Sequence, residues 1–289
     1  MQKLLFFSLV ALALPGIYLG QYRNQPIQDP EVLCHGLSGH DAMVALTKSH
    51  AFVGQHENPV FLRFETKDGQ EITFKGTDGK ESKALEWKAK KKSKDYLLVV
   101  HEWWGLNGQI KQEAEKLYND LGGKVNVIAL DLYDGKVGDT REDAMKYMQG
   151  LTKERGNAII EGVIAYAGKK AKFYTIGWCL GGSWSLQASI LAGKQGAGCV
   201  IYYGRPEKDV AKLKLLNGDV LGIFGSQDKG IPPQVAEELK TNLTSVGKKM
   251  TYKIFEADHG FANPSNPKFD KQATEEAYKM TLDFLKARL

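Results

Sequence analysis

The stretch "GWCLGG" (residues 177–182) places a cysteine among glycines, directly after an apolar run that is typical of a strand. Cys179 could therefore lie on a sharp strand-to-helix turn that presents a nucleophile, because flanking glycines relieve the crowding of such a turn. Leu180 would open the following helix, and its free backbone N–H could stabilise an oxyanion. The alternative is an inert buried thiol.

An acid and a histidine follow two later predicted strands. Asp228 comes after "GIFGSQ", and His259 comes after "FEAD". Because functional side chains collect where parallel strands end, we expect both to lie near Cys179. A nucleophile, an acid and a histidine in this order favour covalent catalysis, with His259 as base and Asp228 holding its tautomer. The simpler alternatives are a turn aspartate and a surface histidine.

Strands and helices alternate along most of the chain, which predicts an α/β fold with a mostly parallel central sheet flanked by helices on both faces. Two Asp-Gly pairs, Asp68-Gly69 and Asp78-Gly79, predict hairpin turns before that region. The predicted strands are "YLLVVHE", "VNVIALDLY", "KFYTIGW", "GCVIYYG", "DVLGIFGSQD" and "TYKIFEAD". Helices are expected after Asn107 and Thr140, over about Glu154–Ala167 and 180–193, from Pro232-Pro233, and at the C-terminal end.

Two tryptophans and a glutamate follow the first buried strand in "HEWWGLN" (101–107). An aromatic patch that caps the core is the simple explanation. However, this motif also begins a series: "ALDLY" (129–133), "GWCLGG" (177–182), "IYYG" (201–204), "GSQD" followed by "IP" (225–232), and "DHGFAN" (258–263). With these motifs in this order, the chain over about residues 65–289 resembles the dienelactone hydrolase family of the α/β-hydrolase fold.

The resemblance implies roles for several residues. Cys179, Asp228 and His259 match the family's triad. Glu102 matches a glutamate that contacts the nucleophilic thiol, and Trp103 matches the position whose backbone N–H joins Leu180 in the oxyanion hole.

The substrate pocket departs from the type enzyme, which holds its substrate's carboxylate with arginines. Gly135 and Asn263 occupy the matching positions here. Lys136 or Arg205 could supply the missing charge. Apolar and aromatic walls are expected from Trp103, Trp104, Trp178 and Tyr203.

These features predict a cofactor-independent hydrolase that cleaves a small ester or lactone through a thioester on Cys179. A thiolate leaves more readily than an amine, so peptidase activity is disfavoured. The alternative is a non-catalytic or accessory protein that kept the fold, with a closed pocket and an unreactive Cys179.

Composition limits the partners and the location of the protein. The chain has 289 residues and a formal net charge of +5, and its basic run near residues 88–94 lacks interleaved aromatics, so no nucleic-acid partner is expected. Residues 1–20 have a basic start and a short apolar run typical of a secretory signal peptide, or of an N-terminal anchor if uncleaved. We therefore expect an exported protein with an N-terminal extension over 21–60 and a hydrolase-like domain over 61–289.

The extension contains four of the six histidines and one of the three cysteines: His35, His40, His50, His56 and Cys34. Their spacing matches no known zinc or haem ligand set, so no metal is predicted, and a redox or metal role for Cys34 and the nearby histidines is kept as a third alternative. The simpler expectation is an extension packed on the main domain, with a helix near His40–Ser49. A Cys34–Cys199 disulfide stays open, although the apolar surroundings of Cys199 favour a small core residue.

Overall fold

The computed structural model describes residues 38–58 and 63–289. In these residues the chain forms an eight-stranded sheet in the order β1-β2-β4-β3-β5-β6-β7-β8. Strand β2 pairs antiparallel with both of its neighbours, and all the remaining pairs are parallel. The predicted α/β class with a mostly parallel sheet is therefore confirmed. The strands are β1 Gln70–Lys75, β2 Glu81–Trp87, β3 Asp95–Val100, β4 Asn126–Leu130, β5 Lys172–Trp178, β6 Gly196–Tyr202, β7 Asp219–Gly225 and β8 Met250–Phe255.

The helices follow the predicted alternation. They are α1 Gly39–Leu46, α2 His50–Gly54, α3 Gly108–Asp120, α4 Arg141–Gly150, α5 Lys153–Ala167, α6 Leu180–Ala192, α7 Val210–Leu213, α8 Pro233–Ser245 and α9 Lys271–Lys286. Side-chain caps explain several starts: Asn107 accepts the Ile110 N–H at the start of α3, and Thr140 accepts the Asp143 N–H at the start of α4. Within the described residues, no helix is long and apolar enough to cross a membrane.

The core lies around the central parallel strands, where burial is most complete. All five residues of β4 are buried, and so are the last four of β3. This explains why these strands read as continuous apolar runs rather than as alternating ones. Helix α6 packs against β3, β5 and β6, so the turn that precedes it is held in the middle of the sheet.

One of the two predicted hairpin turns is correct. Asp78-Gly79 connects β1 to β2, with Gly79 at a φ of 77°. The prediction at Asp68-Gly69 is wrong for the described part of the chain, because residues 63–69 contain no strand. The backbone instead bends there, and the Gly69 N–H donates to the Thr66 hydroxyl at 2.8 Å.

Residues 38–58, here called the N-terminal segment, pack on the main domain as the sequence predicted. Helix α1 is capped by Ser38 and buries Met43 and Leu46. His40 Nε2 donates to the Leu151 carbonyl at 2.8 Å, and Arg141 Nε donates to the His56 carbonyl at 2.7 Å. The segment is therefore fixed at both ends by bonds to the body of the protein. The predicted signal peptide and Cys34 lie outside the described residues.

Candidate active site

Cys179 lies on a tight turn between β5 and α6. Its φ is 54° and its ψ is −117°, a backbone conformation that is strained for a residue with a Cβ. The glycines around it are required by close backbone contacts: a Cβ on Gly177 would lie 2.0 Å from the Gly181 carbonyl oxygen, and one on Gly181 would lie 2.2 Å from the Val100 carbonyl oxygen. This is the strand-to-helix turn that the glycine pattern predicted, and it carries the thiol at the start of a helix.

His259 and Asp228 meet beyond the ends of β8 and β7. His259 Nδ1 donates to Asp228 Oδ2 at 2.5 Å, and both side chains are almost fully buried. The other carboxylate oxygen, Oδ1, accepts the N–H groups of Gly230 and Ile231 at 2.9 and 2.8 Å. The carboxylate is therefore fixed by three hydrogen bonds, which leave the opposite nitrogen of the His259 ring free to face Cys179.

The third imidazole at the site was not predicted. His56 Nδ1 donates to the Phe52 carbonyl at 2.8 Å, so its Nε2 is left as an acceptor, and this Nε2 lies 3.7 Å from Cys179 Sγ. One ring nitrogen of His56, one of His259 and the sulfur all lie within 4.8 Å of one another. The N-terminal segment thus contributes a side chain directly beside the thiol.

Burial and charge set the protonation of these groups. Burial raises the pKa of the Cys179 thiol, although His259 and the Leu180 N–H act in the opposite direction. Burial would lower the pKa of His259, but the Asp228 carboxylate outweighs it and holds the pKa of His259 well above its ordinary value. Burial, with the nearby His259, keeps the pKa of His56 well below its ordinary value. At neutral pH the resting thiol is therefore protonated, His259 carries a proton on both ring nitrogens, and His56 is neutral. The thiol S–H donates to His56 Nε2.

Glu102 lies beside this group but bonds elsewhere. Its Oε2 accepts a hydrogen bond from Asn263 Nδ2 at 2.7 Å. Burial raises the pKa of Glu102, and the Asn263 bond opposes that shift. The hydrogen bond found for the thiol goes to His56, while the Glu102 carboxylate adds to the burial that raises the pKa of the Cys179 thiol. The role of Glu102 at the thiol stays a prediction. Asn263, at a position of a family arginine, holds this carboxylate instead.

Aromatic rings enclose the site. Trp103 packs on His56 with ring centroids 4.2 Å apart and on Trp104 at 5.0 Å. Tyr203, fully buried at a φ of 34°, lies 5.0 Å from His259. Trp178 packs on Tyr202, at 5.4 Å, rather than on the imidazoles. Three of the four predicted aromatic residues therefore surround the imidazoles, and they do so together with Phe52, which the sequence did not single out.

The space above the imidazoles is small. A cavity of about 10 Å³ lies there, lined by residues that include His56, Trp104 and His259. One water molecule needs about that volume. Cys179 is only 2% exposed. A substrate therefore cannot reach the sulfur unless residues around it move, and these include His56 of the N-terminal segment, 3.7 Å from the sulfur.

Neither of the two cations considered from sequence lies at this cavity. Lys136 lines two other cavities, one with Asp131 and one with Tyr147. The Asp131 carboxylate accepts the Gly135 N–H beside Lys136. Arg205 is buried, and its Nη2 donates to the Gly230 carbonyl at 2.7 Å. The assignment of Lys136 to the substrate pocket stays a prediction, and in this conformation Lys136 does not line the cavity above the imidazoles.

Cys199 is a buried free thiol in β6. Its sulfur lies 3.5 Å from the Ser185 hydroxyl, inside a small polar cluster under α6. This agrees with its expected role as a small core residue, and its potential partner Cys34 lies outside the described residues. The other extension histidines do not join the site: His40 bonds to Leu151, His50 is exposed, and His35 is not described.

The sheet order, the nucleophile turn and the histidine and acid at the strand ends define a protein of the α/β-hydrolase fold. The dienelactone hydrolase family model matches residues 83–289. The chain belongs to that family, and it is a carboxymethylenebutenolidase-like hydrolase.

Relatives and solved structures agree with this assignment. The chain is 26% identical over 233 residues to carboxymethylenebutenolidase 1 of Cupriavidus pinatubonensis, covering 75% of this chain and 96% of that one. It is 29% identical over 151 residues to the carboxymethylenebutenolidase of a Pseudomonas species, covering 50% and 62%. A dienelactone hydrolase-like promiscuous phosphotriesterase from metagenomic libraries has a TM-score of 0.65 at 19% identity, covering 77% and 99%. At this identity the likeness concerns the fold.

Proposed function

We propose that the protein is an exported hydrolase that cleaves a small ester or lactone, with Cys179 as nucleophile, His259 as base and acid, and Asp228 as the group that orients His259. The observation that carries the proposal is the convergence of the three side chains from three strand ends. The sulfur lies within 4.8 Å of a His259 nitrogen, and the opposite nitrogen is bonded to Asp228 at 2.5 Å. The family and the relatives named carboxymethylenebutenolidase support a lactone or ester as substrate.

In the first half-reaction, His259 in its neutral form, without a proton on Nε2, takes the thiol proton there, and Cys179 Sγ attacks the carbonyl carbon. The negative charge on the carbonyl oxygen is held by the backbone N–H groups of Leu180 and Trp103. The carbon–oxygen bond to the alcohol breaks, and the alkoxide takes the proton from His259. The product is a thioester on Cys179. His259 then activates a water molecule, which releases the acid and restores the thiol.

His259 needs Asp228 for both halves of this cycle. The Asp228 carboxylate keeps the proton on Nδ1, so Nε2 stays available to accept a proton from the thiol or from water. It also stabilises the imidazolium that forms after each transfer. In the resting site, neutral His56 accepts a hydrogen bond from the Cys179 S–H. This hydrogen bond must break when the substrate arrives.

Hydrolysis of a short aryl ester by the purified full chain tests the mechanism. Cys179→Ala should lower the rate by at least about 10³-fold, because no nucleophile remains. Cys199→Ala removes the other buried thiol and should keep the wild-type rate. Equal rates for the wild type and Cys179→Ala would show that another group is the nucleophile.

The closed cavity is the one observation that favours the accessory-protein alternative. Alkylation separates the two possibilities, because an enzyme whose N-terminal segment moves must expose its thiol from time to time. Iodoacetamide should label Cys179 and stop ester hydrolysis in parallel. A Cys179 that resists iodoacetamide under conditions that label an unfolded control would favour the accessory protein.

Export is supported by residues 1–20 alone, which combine Lys3 with an apolar run from Leu4 to Leu14. Expression of the full chain in a bacterial host, followed by fractionation and intact-mass measurement, tests it. A shortened protein in the periplasm or medium is the expected result, and a full-length chain in the membrane fraction would indicate an anchor. A full-length chain in the cytoplasm would contradict export.

A further inference from the structure

We propose that His56, Cys179 and His259 form a three-ligand site for a soft divalent metal ion such as Zn²⁺, and that the bound ion blocks the thiol. The inference shares Cys179 with the proposed function but does not depend on ester cleavage. It begins from the kinds of atom that meet at the site. One thiol sulfur and two imidazole nitrogens, all within 4.8 Å of one another, are ligands that zinc prefers.

The distances are close to those of a tetrahedral site. With bonds of about 2.3 Å to sulfur and about 2.0 Å to nitrogen, neighbouring ligands lie about 3.5 Å apart for S and N, and about 3.3 Å for N and N. The separation of Cys179 Sγ and His56 Nε2 is 3.7 Å. No pair is more than 4.8 Å apart, so the widest pair has to close by at most about 1.5 Å, which side-chain rotation can supply.

Both imidazoles already have the outer hydrogen bonds of a metal ligand. A histidine that binds a metal through one nitrogen usually donates its other N–H to a carboxylate or a backbone carbonyl. His259 Nδ1 donates to Asp228 and His56 Nδ1 donates to the Phe52 carbonyl. Each ring therefore presents its Nε2 inward in a fixed orientation.

A second observation points to a ligand at this place. His259 is 1% exposed, and its Nε2 is a buried polar atom with no hydrogen-bond partner among the described residues. A buried nitrogen without a partner costs free energy that a bound ion would recover. The adjoining cavity of about 10 Å³, which His56 and His259 help to line, can hold one water as a fourth ligand.

Binding replaces the thiol proton by the metal. The Cys179 S–H bond breaks and the sulfur forms a bond to the ion. Where His259 carries a proton on Nε2, that N–H bond breaks as well. The released protons leave to solvent, and each histidine then gives the lone pair of its Nε2. The bound sulfur and His259 can then neither attack a carbonyl nor accept a proton. Metal occupancy and ester hydrolysis are therefore mutually exclusive.

Co²⁺ absorption tests the site without reference to activity. The full-length wild type should show a thiolate-to-cobalt charge-transfer band in the near ultraviolet, and Zn²⁺ should displace it. His56→Ala should weaken Co²⁺ binding at least tenfold, and Cys179→Ser should remove the band. His50→Ala is the matched control, because His50 is exposed at the start of helix α2, which ends two residues before His56, and it should bind as the wild type does.

The outcomes separate this proposal from the proposed function. A wild type that hydrolyses esters but gives no thiolate–cobalt band at millimolar Co²⁺ overturns the metal site alone. Unchanged Co²⁺ affinity in both His56→Ala and His56→Gln would also overturn it, because the third ligand would then have no role. A protein that binds Co²⁺ through Cys179 but cleaves no ester keeps the metal site and refutes the hydrolase mechanism.

Discussion

Replacement of Asp228 by asparagine separates the orientation of His259 from the integrity of the fold. In the native site, Oδ1 accepts two backbone N–H groups and Oδ2 accepts His259 Nδ1–H. The side-chain oxygen of the asparagine should keep accepting the N–H groups of Gly230 and Ile231. The opposite orientation would place its NH₂ group, a donor, against these two N–H donors. The NH₂ group then points at Nδ1, and the imidazole must carry its proton on Nε2.

An imidazole with a proton on Nε2 cannot accept the proton of the Cys179 thiol. Loss of the correct tautomer in a comparable triad costs about 10⁴-fold in kcat, which is about 5.5 kcal/mol of transition-state stabilisation. We expect a loss of this size for Asp228→Asn. Stability should change by only about 1–2 kcal/mol, because the bonds from Gly230 and Ile231 remain.

The assay is kcat/KM on a short aryl ester, with urea unfolding measured on the same preparations. Asp258→Asn is the matched control, because that side chain accepts the backbone N–H of His259 at 2.8 Å without touching the ring. It should keep activity within tenfold of the wild type. If Asp228→Asn also stayed within tenfold, the assignment of His259 as the base held by Asp228 would be refuted.

Three further predictions concern the framework of the site. Gly177→Ala places a Cβ 2.0 Å from the Gly181 carbonyl oxygen, so it should lower the free energy of unfolding in urea by about 3 kcal/mol or more. Gly150→Ala is the control, because a Cβ there has no atom within 4 Å, and it should not destabilise the protein. Phe52→Ala removes a fully buried ring and should weaken the packing of the N-terminal segment on the main domain by about 3–5 kcal/mol. Iodoacetamide should then label Cys179 faster, and the backbone amides of the segment should exchange faster. Unchanged rates would contradict this prediction. Burial, partly offset by hydrogen bonding, lowers the pKa of His40 in the folded protein. The free energy of unfolding should therefore fall as the pH drops below about 6.5, because the unfolded chain binds a proton there that the folded chain does not. If a His40→Gln variant lost stability with pH as steeply as the wild type, this prediction would be wrong.

The sequence was sufficient to predict the sheet and the three strand-end residues, because both depend on local patterns. Apolar runs with flanking caps specify the elements, and parallel strands then bring their carboxyl ends to one edge. Cys179, Asp228 and His259 each lie directly after such a run, so their convergence follows from the topology.

The contribution of His56 could not be predicted in the same way. Its contact with Cys179 joins residues 123 positions apart, and nothing in its spacing distinguishes it from His40 or His50. Composition gave the one hint of a functional histidine there, since the N-terminal extension holds most of the histidines of the chain. The role of Lys136 also stays a prediction, because the sequence alone does not show that its loop lines two other cavities.

The side chains that pack over the site, here called the roof, and the groups that would react lie in different parts of the polypeptide. Phe52 and His56, which form this roof, both pack on His259, and they precede the family-matched region, which begins at residue 83. The nucleophile turn is held in the centre of the sheet by close backbone contacts. Substitutions in that roof can therefore change which molecules gain entry without straining the strands beneath. In this protein, selection for a new substrate can act on one short stretch of chain and leave the reacting atoms as they are.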